Sequence, residues 1–103
     1  MFVELSAVEG HEIDAILREA DDLTRLWVAV QPGIRPEDLT RHVALEWSGT
    51  IDSEHAWISI ERLRTLGYSS DSAWVERFDA VIAYAASREW VSSDGRLVRA
   101  HLQ

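Results

Sequence analysis

Residues 42–47 and 55–60 alternate large apolar with polar side chains, and pairing them as a β-hairpin sorts the two kinds onto opposite faces. A register that sets Glu46 opposite His55 places Val43, Leu45, Trp47, Ala56, Ile58 and Ile60 on one side, all apolar. His42, Ala44, Glu46, His55, Trp57 and Ser59 take the other side, and residues 49–52 form the loop. The competing pattern starts a helix at Pro36, with Glu37 and Asp38 in its first turn and Leu39, Val43 and Trp47 spaced i, i+4, i+8. A one-residue slip would mix the two faces, so the sorting favours the hairpin, preceded by a helical turn over 36–41.

Residues 2–8 also alternate, with Val3, Leu5 and Ala7 against Glu4 and Ser6, and predict a strand ending at Gly10. From His11 the period changes: Ile13, Ile16, Leu17, Ala20 and Leu23 form a stripe that predicts an amphipathic helix. Residues 25–30 are β-favouring and stop at Gln31-Pro32-Gly33, so they predict a strand, with continuation of the helix through Trp27 as the alternative. A short helix over 61–66 ends at Gly67, read as a left-handed cap. Asp71 or Ser72 then caps a long helix carrying Trp74, Val75, Phe78, Val81, Ile82 and Ala85, with the small residues Ala80, Ala83 and Ser87 on its flank. Asp94-Gly95 marks a turn, and residues 97–102 predict a last strand.

That order predicts one α+β domain over residues 1–103: a two-layer sandwich, ferredoxin-like, with about five antiparallel strands and two main helices on one face. Two helices cover one face only. The other face is expected to present Phe2, Glu4, Arg25, Trp27, His42, Glu46, His55, Trp57, Arg99 and His101. Aromatics among charges are costly to leave in water, so a second copy of the chain is the expected cover, giving a homodimer.

Composition narrows the partners. The net charge of −8 opposes nucleic acid and anionic lipid, since both are bound through clustered cations. The absence of cysteine suits a reducing cytoplasm and removes disulfides and thiolate metal sites. No basic leader or membrane-length apolar run occurs, so a membrane role is not expected. All ten basic residues are arginine, which excludes a lysine Schiff base and fits a G+C-rich bacterial genome.

No nucleophile elbow, phosphate loop, metal box or cofactor fingerprint occurs, so no cofactor is expected. Four residues along a strand span about 13 Å, which keeps His42 and Glu46 from sharing an ion; only the helical pattern would bring them together, and it disrupts the pairing with His55, so no metal is expected either. His11 is read as a surface residue without a partner. Two functions remain. One is a self-associating binding or accessory protein of the cytoplasm. The other is a cofactor-free enzyme, by analogy of fold class with dimeric α+β barrels. In it Glu46 would orient His55 for acid–base chemistry on a small organic molecule. Trp27 and Trp57 would wall that pocket, His42 would lie beside them, and Arg99 would anchor an anion.

Overall fold

The computed structural model describes all 103 residues. It is an α+β fold in which three helices lie on one face of a six-stranded mixed sheet. The strands are β1 (Phe2–Ala7), β2 (Ile13–Arg18), β3 (Trp27–Val30), β4 (Thr50–Ile51), β5 (His55–Ser59) and β6 (Leu97–Leu102). The helices are α1 (Pro36–Glu46), α2 (Ile60–Leu66) and α3 (Ser72–Ser87). Across the sheet the order is β2-β1-β3-β6-β5-β4. The ferredoxin-like, all-antiparallel expectation is corrected: β3 runs parallel to both of its neighbours, β1 and β6.

Two elements differ in kind from the sequence expectation. The stripe from Ile13 is strand β2, antiparallel to β1, with Val3 opposite Leu17 and Leu5 opposite Ala15. Ile13, Ala15 and Leu17 satisfy a period of two as well as a helical one, and β1 supplies the partner that decides between them. The turn before it is closed by the Val8 N–H on Glu12 O at 3.0 Å. The expected hairpin strand 42–47 is the second half of α1 and its C-cap residue, Trp47. Pro36 opens this helix, Glu37 and Asp38 sit in its first turn, and Val43 and Trp47 are each 1% exposed. Leu45, which the hairpin required in the core, is 73% exposed. The helix gains the burial of Leu39 for the loss of Leu45 and satisfies its own backbone, which a lone edge strand could not.

Glu46 therefore does not face His55. The strand that pairs with β5 is the two-residue β4, with Thr50 opposite Trp57 and Ile51 opposite Ala56. Gly67 is also corrected: its backbone is extended rather than left-handed, and the Trp74 indole occupies the space a side chain would need. Asp71 caps α3 as expected, accepting from the N–H groups of Ala73 at 3.0 Å and Trp74 at 3.2 Å.

The core lies between sheet and helices. Val3, Leu5, Val28, Ala56, Ile58, Val98 and Ala100 meet Val43, Trp47, Leu63, Trp74 and Phe78 in one buried cluster. The Trp74 indole N–H donates to the carbonyl of Ala20 at 2.7 Å, so the turn after β2 is tied to the start of α3. By the observed register, Phe2, Glu4, Ile16, Trp27, His55, Trp57, Arg99 and His101 share the sheet face that the helices leave open.

Candidate binding cleft

β3 meets β6 only through the pairs Trp27–His101 and Val28–Leu102. Earlier along β6 the neighbour is the segment following α3, joined by the Val91–Val98 bridge and by the Arg99 N–H on Trp90 O at 2.8 Å. Asp94-Gly95 makes the return. Gly95 has φ +75°, a conformation glycine adopts freely, and Asp94 accepts from the Arg96 N–H at 3.0 Å. β6 thus has two different neighbours on one edge. Where they fail to meet there is an open cleft of about 640 Å³.

Residues 23–26 form one wall, Ala80 to Ile82 with Tyr84 and Ala85 from α3 another, and Trp90 closes the end. Ala80 is one of the small residues on the flank of α3, and its short side chain leaves the volume open. His55, Arg99 and His101 complete the lining from the open side of the sheet. No aspartate or glutamate lines the cleft, although the chain carries eighteen. Two arginines do, Arg25 and Arg99, and neither has a carboxylate within 4.0 Å. Arg99 lies over the Trp90 ring at 5.5 Å and Arg25 over the Trp27 ring at 4.6 Å. His55 and His101 stand edge to face, 5.8 Å between ring centroids.

The residues expected at a site separate into three groups. His55 and Arg99 line the cleft. Trp27 and Trp57 share the open face but not the lining: Trp27 stacks on Phe2 at 4.6 Å, and Trp57 is the β5 partner of Arg99. His42 and Glu46 are elsewhere, on α1 across the sheet, and this corrects the Glu46–His55 acid–base pair. Glu46 faces Arg62 at 3.8 Å. His42 Nε2 accepts the Trp47 indole N–H at 3.2 Å, which keeps that imidazole neutral, and burial pushes its pKa below the usual histidine value. Arg25 was expected on the open face, whereas Leu23, Thr24, Leu26, Tyr84 and Trp90 lie outside the sequence expectation of a site. Tyr84 and Trp90 pack edge to face at 6.0 Å, but one ends a helix and the other lies in an irregular segment, so no periodicity marks them.

Comparison of the chain with protein-family models, with curated proteins and with solved structures finds no match.

Proposed function

We propose that this is a binding protein for a small, largely apolar organic anion, such as an aryl or acyl carboxylate, held in the cleft between α3 and β6. The observation that carries the reading is the lining itself: two arginines with no carboxylate within 4.0 Å, two histidines and no acid, in a chain of net charge −8. An apolar body would lie against Leu23, Leu26, Val81, Ile82 and the Trp90 ring. Burying about 150–250 Å² of it is worth roughly 4–6 kcal/mol before the entropy of association is subtracted. The anionic head would take charge-assisted hydrogen bonds from Arg99 and Arg25. No carboxylate lines the cleft to orient His55 or His101 as a base or to activate the Thr24 hydroxyl, which favours capture over catalysis there.

The partner expected on the open sheet face is a second copy of the chain, because Phe2, Ile16, Trp27 and Trp57 lie there without a helix over them. A copy laid across that face would also roof the side of the cleft made by His55, Arg99 and His101. The cysteine-free composition supports the cytoplasm as the place of action.

Titration with 8-anilinonaphthalene-1-sulfonate tests the ligand reading. Saturable binding is expected, displaced by 2-naphthoate but not by the neutral 2-naphthamide, and weakened at least tenfold in Arg99→Gln. Equal displacement by acid and amide, or unchanged affinity in Arg99→Gln and Arg25→Gln alike, would overturn it.

A further inference from the structure

On the helix side of the molecule, away from the cleft, the β1–β2 turn meets α1 and α2 along a groove of about 470 Å³. Its lining is polar except for Ile13, Ala15 and Leu45. At its centre His11 Nδ1 lies 2.9 Å from Asp38 Oδ2, and Arg41 donates to the other oxygen, Oδ1, at 3.2 Å. Asp38 is 6% exposed, whereas His11 is 60% exposed and its Nε2 has no partner in the protein. The hydrogen bond from His11 outweighs burial and holds the Asp38 carboxyl below the usual carboxylate range, so Asp38 accepts and Nδ1 carries the proton. That leaves the Nε2 lone pair of the neutral ring free, on a side chain that lines the groove and is held at Nδ1 by a buried carboxylate. Glu12 and Asp14 from the β2 side, Arg41, His42 and Glu46 from α1, and Arg62 from α2 face the same space. Arg62 Nε is buried there without a hydrogen-bond partner.

We propose that this groove is a second site, in which His11 is a general base for hydrolysis of a polar acyl ester and Asp38 is its positioning residue. His11 Nε2 takes a proton from water as the water oxygen bonds to the acyl carbon. The bond from that carbon to the leaving oxygen then breaks, and the leaving oxygen takes the proton from Nε2. Ester and water become acid and alcohol, and nothing is oxidised. Asp38 stabilises the transient imidazolium, and Arg41 and Arg62 supply cationic N–H groups for the developing oxyanion.

The probe is 4-nitrophenyl acetate, followed by release of 4-nitrophenol. The protein is expected to exceed four equivalents of N-acetylhistidine, one for each histidine in the chain, by at least tenfold. His11→Gln should lose nine-tenths of that rate, and the wild-type reaction should show a solvent deuterium isotope effect above about 2, the mark of proton transfer in the rate-limiting step. Asp38→Asn should fall about tenfold. Because that variant also cuts the tie between turn and helix, ¹⁵N spectra of wild-type His11 provide a separate readout, with the neutral ring protonated on Nδ1. Full activity in His11→Gln, an isotope effect near 1, or a neutral ring protonated on Nε2 would each overturn the proposal.

Discussion

Gly49→Ala tests the junction at which α1 gives way to β4. The Gly49 N–H returns to Val43 O at 3.1 Å, and its Cα passes directly over β5. A Cβ there would lie 2.8 Å from the carbonyl carbon of Trp57 and nearer still to its oxygen, where apolar contacts normally sit at about 3.5–4.0 Å. The obstacle is backbone, so no rotamer change relieves it, and β4 must separate from β5 by roughly 1.5–2 Å. Separation removes the pairing of Thr50 with Trp57 and Ile51 with Ala56, at about 1 kcal/mol for each hydrogen bond lost, with roughly 1–3 kcal/mol more for repacking. The stiffer unfolded chain returns about 0.5–1 kcal/mol. The net is a loss of about 2–4 kcal/mol, or some 10–25 °C in Tm for a domain of this size. Gly95→Ala is the control: nothing lies within 4 Å of its Cβ, and only the φ of +75° is unfavourable, for about 1 kcal/mol. Urea and thermal unfolding of both variants give the comparison. If Gly49→Ala loses no more than Gly95→Ala, α1 does not end over β5 and the reasoning fails.

Two further outcomes follow from the same geometry. Sedimentation at micromolar concentration should give a dimer, and Trp57→Glu should shift it to monomer by placing an unpaired charge in the interface; a monomeric wild type would remove the argument for the open face. His42 is held neutral in the fold, with burial lowering its pKa from the ordinary 6.5, so the unfolded chain takes up that proton first as pH falls. Its stabilising contribution is complete above about pH 7 and is lost on acidification below it, with a slope of at most about 1.4 kcal/mol per pH unit. His42→Gln, which keeps an acceptor for the Trp47 indole, should flatten the stability curve between about pH 7 and 5, and an unchanged curve would show that His42 is not the group titrating.

The elements readable from sequence are those whose deciding contacts are local. α3 announces itself by a capping aspartate and a stripe from Trp74 to Ala85, and β1 and β6 by clean alternation. β2 and α1 were misassigned because their apolar residues satisfy both periods, and the arbiters are distant: β1 for the one, the buried site of Trp47 for the other. The parallel pairing of β3 was equally hidden, since alternation gives a strand its faces but not its neighbours. At the sites, His55 and Arg99 were legible because strand alternation alone put them on the open face. Trp90 was not, lying where no period runs. The His11–Asp38 pair joins residues 27 apart, from a turn and a helix that the sequence pattern had not put together.

The cleft itself follows from the shortness of β3. Had that strand begun three residues earlier, Leu26 and Arg25 would pair along β6 and the space would be filled by backbone. Instead Gly95 returns the chain so that residues 90–92 take the edge there, pairing with Val98 and Arg99, and the gap between this segment and β3 is the cleft. Charge then acts on two length scales. The net −8 repels an approaching anion at long range, and physiological salt screens that repulsion over about 8 Å. Within the cleft the nearest charges are Arg25 and Arg99, in contact distance of any occupant and partly shielded from solvent by Trp27 and Trp90. Short-range attraction in a partly desolvated site is screened far less than the field of a dispersed surface charge. An acidic chain can therefore hold an organic anion, provided the ligand is small enough to sit wholly among the arginines and apolar enough to displace water from Leu23, Ile82 and Trp90.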